Sequence, residues 1–416
     1  MQLSNVELHG KLSFPTKIRT FMLHFYAFSN FQSFFDRTEV SMAVNAKTSI
    51  KGWGVESQAK ERLSIALAVV GANGAGKTAL LKPLGFLGWF VRHSFSTLGP
   101  ESDIPVTPHF SSPNSPTEIE VEAEDHEGVV WRYVLRLTTK RVLYEALFKK
   151  KERFSYVFIR EWSESEAQYL IKQQGFNFAP AEARKVRANA SLISTAAQYG
   201  VEAAQHLLKF NLVTNVGVEG RHHFHQSHLS RAAELFGNFA EMKDKMVALL
   251  KSWDLGLSDV KVEEVEVKTK DGKAEKHWVT LGIHKTREGK LVPLVFEEES
   301  SGTQSAYVLL SRLLVVLGMG GVAAIDEMES DLHPRMIEPI LDLFANPETN
   351  PLQAQLIFTC HSMEVLDILH KSQVIFVEKN ECESVAFRGD TISGLRSDDN
   401  LRAKYMSGAL GAMPKV

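Results

Sequence analysis

Gly71-Ala72-Asn73-Gly74-Ala75-Gly76-Lys77-Thr78 constrains this chain more than any other stretch. A short apolar run, Leu63 to Val70, leads into it and ends as a buried strand should. Thr78 to Phe95 follows, apolar on most faces through Leu80, Leu81, Leu84, Phe86, Leu87, Trp89 and Phe90, which predicts a buried helix. Pro83 falls in its first two turns, so a bend or an irregular start is expected there. Strand, glycine-rich loop and helix together make a phosphate cradle. Glycines let successive backbone N–H groups wrap the phosphates, and the helix N-terminus adds positive potential. Lys77 is placed to reach β- and γ-phosphates, and Thr78 offers a hydroxyl to Mg²⁺. Asn73, Gly74, Ala75, Gly76, Lys77 and Thr78 are therefore the candidate nucleotide-binding residues. A glycine-rich turn without a ligand is the blander alternative, and the partner motifs weigh against it.

Val322 to Ile325 reads as a central strand of small apolar residues, with Asp326 and Glu327 at its carboxyl end, where open α/β sheets bind ligands. Asp326 would hold Mg²⁺ through water, and Glu327 is placed to polarise an attacking water. Two solvated acids at a strand end is the competing account. Glu299 to Gln304 stands directly before a helix, so Ser301 and Gly302 offer either an ordinary N-cap or a second anion site. A second anion site has no ligand within one subunit, but it could cap the γ-phosphate held by a neighbour. His361 follows the strand predicted over Ala354 to Thr359, at its carboxyl edge, where an imidazole can contact a γ-phosphate or orient water.

The rest of the chain supplies context. At 416 residues it calls for two domains or one domain with a large insertion. Its net charge of −3 gives no global basic signature for nucleic acid. Two cysteines, Cys360 and Cys382, exclude a disulfide framework, and a reducing cytoplasm is the expected compartment. No apolar run predicts a membrane span, and Met1 to Phe14 lacks the pattern of a signal peptide. Met22 to Phe31 and Glu39 to Val44 read as strands. Gly99 to Pro116 is a proline- and serine-rich loop, and Thr117 to Arg160 reads as a small inserted antiparallel sheet. Helices are expected over 179–210 and 228–253, and a hairpin around Lys270-Asp271-Gly272. From residue 302 onward strands and helices alternate, as in a parallel sheet.

Arg221 to His228 is rich in imidazoles; a polar surface between helices is preferred there over a Zn²⁺ site. Lys149-Lys150-Lys151 and Arg184-Lys185-Val186-Arg187 read as solvated basic faces that could hold a nucleic-acid backbone only if they share one surface. Tyr156, Phe158, Phe176 and Phe178 read as core rather than as stacking platforms.

Taken together, these motifs resemble the ABC-type ATPases of the SMC, RecF and OLD group. The phosphate loop resembles their Walker A motif, Ser300 to Gln304 the signature, Asp326-Glu327 the Walker B pair, Ser330 to Pro334 the D-loop and His361 the switch histidine. Phe28 to Phe34 is similar to the opening of the group, although Gln32 stands where a basic residue is common, and no Q-loop glutamine can be placed. The shape, and the tail Asn400 to Pro414, are similar to compact AAA-like ATPases of bacterial anti-phage and abortive-infection operons.

The resemblance implies an α/β fold, an ABC-type P-loop ATPase with a mixed central sheet and an inserted β-plus-helical subdomain. Residues 1–98 and 291–416 would form the ATPase domain and 99–290 the insertion. It implies ATP and Mg²⁺ as cofactors, with Thr78 and Asp326 as metal ligands and Glu327 and His361 as the catalytic pair. It implies a homodimer or higher oligomer through composite ATP sites that include Ser301 and Gly302, and a separate effector protein, a nuclease or toxin, in anti-phage defence. The alternative is an SMC- or RecF-like ATPase acting directly on DNA, but the insertion is too short and irregular for long coiled coils. A transporter subunit would be far shorter. The stretch after Val377 is too short for the Toprim domain of an OLD-type nuclease, so no nuclease activity is expected of this chain.

Overall fold

The computed structural model describes residues 21–45, 48–50, 52–222, 224–268 and 274–412. The turn expected at Lys270-Asp271-Gly272, the Met1–Phe14 stretch, His223 and the last residues of the tail lie outside these. The early aromatic alternation forms β1 (Met22–Ser29) and β2 (Thr38–Ser41), followed by the short strands β3 (Gly54–Glu56) and β4 (Arg62–Ser64). Next come β5 (Ala66–Gly71), buried along its whole length, and α1 (Lys77–Thr97), which contains Pro83. Then follow β6 (Thr117–Glu124), β7 (Val130–Leu137), β8 (Val142–Lys150), β9 (Phe154–Ser163) and β10 (Gln168–Gln173). The sheet expected as an insertion is hydrogen-bonded onto the N-terminal strands. β6 pairs antiparallel with β1, giving the seven-stranded order β10-β9-β8-β7-β6-β1-β2. Phe158, Phe176 and Phe178 lie in its core, whereas Tyr156 is exposed.

The long helix expected over 179–210 is instead three short ones, α2 (Pro180–Ala183), α3 (Leu192–Gln198) and α4 (Glu202–Leu207). The reason is a buried cation. Arg160, fully buried on β9, donates to the carbonyls of Val186, Arg187 and Ala190, which a continuous helix would need for its own ladder. Glu145 accepts from the Leu192 N–H and the Ser191 hydroxyl, so the next helix starts there.

β11 (Leu212–Thr214), β12 (Val216–Gly217) and β13 (Gly220–Arg221) come next, and sequence periodicity does not mark them. α5 (Gln226–Asn238) and α6 (Ala240–Ser252) divide the expected helix at Phe239. β14 (Asp259–Lys268), β15 (Ala274–Lys285) and β16 (Leu291–Val295) form a three-stranded antiparallel sheet. The last third contributes α7 (Ser301–Met319), β17 (Val322–Ile325), α8 (Ile337–Ala345), β18 (Gln355–Thr359), α9 (Val365–Ile368), β19 (Val374–Asn380), β20 (Glu383–Arg388) and α10 (Leu401–Met406). By length and composition α7 could cross a membrane, but more than half of it is buried inside the protein, as in a core helix.

The central sheet has the order β11-β17-β18-β5-β19-β20, parallel except for β20. Because β5 lies between β18 and β19, the loop after Gly71 opens beside the carboxyl ends of β17 and β18. That neighbourhood, created by strand order, assembles the candidate site.

Candidate functional site at the carboxyl edge of the central sheet

The phosphate loop leaves β5 with two glycines in the left-handed region, Gly74 at φ 74° and Gly76 at φ 115°. A Cβ on Gly76 would come within 2.5 Å of the Ser384 hydroxyl, whereas one on Gly74 would meet nothing. Ser384 donates to the Ala75 carbonyl and to Ser33, so β20 and the Asn30–Phe34 turn brace the loop from outside. Gln32, noted for its lack of charge, sits in that turn at φ 52°. The Lys77 ammonium bonds the carbonyls of Gly71 and Ala72 at 2.8 and 3.0 Å, and burial lowers its pKa. Phosphate oxygens would compete with those two carbonyls for the same donor.

Asp326 is the hub. It is 1% exposed, accepts from the Thr78 hydroxyl at 2.8 Å and from the Thr359 hydroxyl at 2.7 Å, one on each carboxylate oxygen. Thr359 also accepts from the Glu327 N–H at 2.7 Å. On the other side Asn215, directly after β11, clamps the Asp326 backbone. Its amide donates to the Asp326 carbonyl at 2.9 Å, and its oxygen accepts from the Asp326 N–H at 2.7 Å. The hydroxyl of Thr78 and the carboxylate of Asp326 form a pair of hard oxygens that suits Mg²⁺.

Glu327 takes φ 47°, a left-handed conformation that costs a non-glycine residue of order 1–3 kcal/mol. Its Oε2 is held by the guanidinium of Arg221 and, at 3.0 Å, by the Ser330 hydroxyl. Arg221 also donates to Ser330 at 2.7 Å. The other oxygen, Oε1, lies 3.8 Å from His361 Nε2. The His361 backbone N–H donates to Glu329. Burial, then the nearby Lys77 charge, lowers the His361 pKa, which keeps its ring neutral at neutral pH.

Ser301 and Gly302 open α7, and Ser300 caps it by accepting from the Thr303 N–H at 3.2 Å. The hydrogen bonds of this turn run to its own helix and to the D-loop-like segment, Ser305 reaching Asp331 at 3.2 Å, rather than to the phosphate loop of the same chain. Thus Thr78, Asp326, Glu327, His361 and Lys77 gather at one edge, and Ser301 and Gly302 make no hydrogen bond to them. Sequence reasoning missed Asn215, Arg221 and Thr359. Only Thr359 carried a signal, as the last residue of a predicted strand beside His361.

The imidazole-rich stretch serves local structure. His225 caps α5 by accepting from the Ser227 N–H, and His228 accepts from the His225 N–H. Burial, followed by the charges of Arg312 and Arg231, pushes the His228 pKa down to about 4. In the basic cluster at 184–187, Arg184 and Lys185 are exposed, as a solvated face requires, whereas Arg187 is committed to the fold. Arg187 donates to the carbonyls of Phe95 and Leu98 and so closes the end of α1.

No curated protein matches this sequence. Among solved structures the chain is similar to the Smc head domain, with coiled coil and joint, derived from Pyrococcus yayanosii. Identity is 9%, coverage 94% of this chain and 99% of that one, and the TM-score 0.42. It is also similar to the recombination mediator protein RecF with ATP, at 10% identity over 89% of this chain and 98% of that one, with a TM-score of 0.36. The family described as "AAA domain, putative AbiEii toxin, Type IV TA system" matches residues 67–367, from β5 through Asp326 and His361 to α9. The chain belongs to this AAA-domain family.

Proposed function

We propose that the chain binds and hydrolyses ATP at the edge built by Lys77, Thr78, Asp326, Glu327 and His361. The observation that carries this reading is the continuous chain of hydrogen bonds Thr78–Asp326–Thr359–Glu327, which ties the phosphate loop to both acids. The amides of Asn73, Gly74, Ala75 and Gly76 and the ammonium of Lys77 receive the phosphates. Mg²⁺ held by Thr78 and Asp326 would neutralise charge on the β- and γ-phosphates. Arg221 and Ser330 fix one oxygen of Glu327 and leave Oε1 to orient a water and take its proton. The water oxygen attacks the γ-phosphorus, the bond to the bridging oxygen breaks, and ADP leaves with that oxygen's electron pair. Neutral His361, next to Oε1, hydrogen-bonds the same water or the γ-phosphate.

The first amides of α7 have no partner inside their helix, and Ser301 is exposed. A second copy would present these donors to the γ-phosphate, so ATP would join two chains through an isologous interface. Hydrolysis would remove the bridging charge and loosen the pair. A separate effector, a nuclease or toxin, would sense that change; the toxin–antitoxin wording of the family favours a defence setting. Glu327→Gln is the decisive test. It keeps shape and removes the base, so ATP binding should persist while turnover slows at least about tenfold, roughly 1.4 kcal/mol of barrier. Unchanged turnover would assign the water to another residue.

A further inference from the structure

Far from this edge, β1 slips its register against β6. Leu23 faces Ala123, and the next pair is Phe25 with Glu122, so His24 is the extra residue of a bulge. The residue before it, Leu23, exchanges hydrogen bonds with the side chain of Gln355, the first residue of β18. The bulge therefore lies at the opposite end of the parallel sheet from the phosphate loop. His24 is 1% exposed and is ringed by acids. Its Nδ1 is 3.0 Å from Glu61 Oε2 and 3.8 Å from Glu122 Oε1, and its Nε2 is 3.4 Å from Glu124 Oε2. Glu122 and Glu124 are themselves buried.

Three features of this cluster point to a cation. The ligand atoms of His24, Glu61 and Glu122 all lie within 4.8 Å of one another. Two ligands on one tetrahedral ion, each about 2.0–2.1 Å from it, stand about 3.3 Å apart, and the two Nδ1 separations bracket that value. Second, the charges do not balance. Arg132 answers Glu122 at 2.7 Å, which leaves two negative charges among three carboxylates, the charge a divalent ion would match. Third, His24 Nε2 is buried without a hydrogen bond, and 3.4 Å from it stands Glu124, whose carboxylate is anchored by the N–H groups of Gln58 and Ala59. A metal-bound imidazole gives its other N–H to such a carboxylate, which fixes the tautomer that frees Nδ1.

We propose that His24, Glu61 and Glu122 bind a divalent transition-metal ion, Zn²⁺ foremost, that staples the β1 bulge to β6 and to the turn between β3 and β4. One imidazole and two carboxylates suit Zn²⁺, whereas Mg²⁺ and Ca²⁺ prefer all-oxygen sets. Glu61, with its side chain 43% exposed, opens the site to solvent. The competing account is a proton in place of the ion, with His24 an imidazolium among the acids.

The test uses the full chain without nucleotide, stripped with chelator. Dialysis against Zn²⁺ followed by elemental analysis should find one equivalent retained, and Zn²⁺ should raise the melting temperature. Co²⁺ should give the visible absorption of a four- or five-coordinate nitrogen–oxygen site. Glu61→Gln should weaken the metal roughly tenfold or more while leaving nucleotide affinity unchanged. Lys77→Ala should retain the metal, which separates this site from the nucleotide edge. Failure to retain metal, an unaltered affinity in Glu61→Gln, or an imidazolium nitrogen signal for His24 in Zn²⁺-containing buffer would each overturn the proposal.

Discussion

Replacing Asn215 by Ala tests how the candidate site is held. Asn215 is 6% exposed and makes two hydrogen bonds to the backbone of Asp326, one in each direction. β11 pairs with β17 only as far as Thr214 with Ala324, so the Asn215 side chain extends the ladder by one more position. Alanine would leave the Asp326 N–H and C=O buried and unpaired. Each orphaned group costs about 1–3 kcal/mol, so the loss should total roughly 2–6 kcal/mol. That is a large share of the roughly 5–15 kcal/mol that a domain has to spare. The loosened backbone also carries the carboxylate that bonds Thr78, so the Mg²⁺ concentration for half-maximal hydrolysis should rise several-fold. Urea denaturation followed by tryptophan fluorescence, and ATPase rates across a Mg²⁺ series, read the two effects. A denaturation midpoint and a Mg²⁺ response both like wild type would refute the clamp and, with it, any role for β11 in the site.

Lys77→Ala should abolish ATP binding, because the ammonium is the only side-chain charge the loop offers the phosphates; calorimetry with ATP checks this, and an unchanged affinity would remove the loop assignment. Ser301→Arg should leave nucleotide binding by the subunit intact and block ATP-dependent association and hydrolysis; light scattering with a non-hydrolysable analogue decides it, and a wild-type monomer hydrolysing at full rate would disprove the composite site. The folded-state pKa of His228 is depressed to about 4, so its neutral form contributes fully above the unfolded value near 6.5, and that contribution is lost as pH falls towards 4. His228→Gln keeps an acceptor for the His225 N–H and should flatten the fall in urea midpoint between pH 7 and 5; an equal fall in both proteins would contradict the burial argument.

Gly71 to Thr78 was legible in the sequence because its chemistry is local: consecutive residues, glycines at the left-handed positions, an apolar strand before and a helix after. Asp326 and Glu327 were legible for a similar reason, as acids at the end of a buried strand. Arg160 and Glu145 were not. Their burial breaks up a segment whose composition alone favours one helix, since side chains from β8 and β9 satisfy its backbone groups. Asn215 and Arg221 were hidden further still. They stand 111 and 106 residues before the acids they hold, Asn215 just after a three-residue strand and Arg221 on a two-residue one, and neither strand carries periodicity. The role of Asn215 exists only because β11 adds to the edge of the sheet beside β17, and that of Arg221 because the β12–β13 hairpin follows it. Local pattern alone marked the candidate phosphate loop and the two acids at the end of the neighbouring strand. What orients those acids came from the fold, because a hydrogen bond across two strands depends on sheet order, which no local pattern encodes.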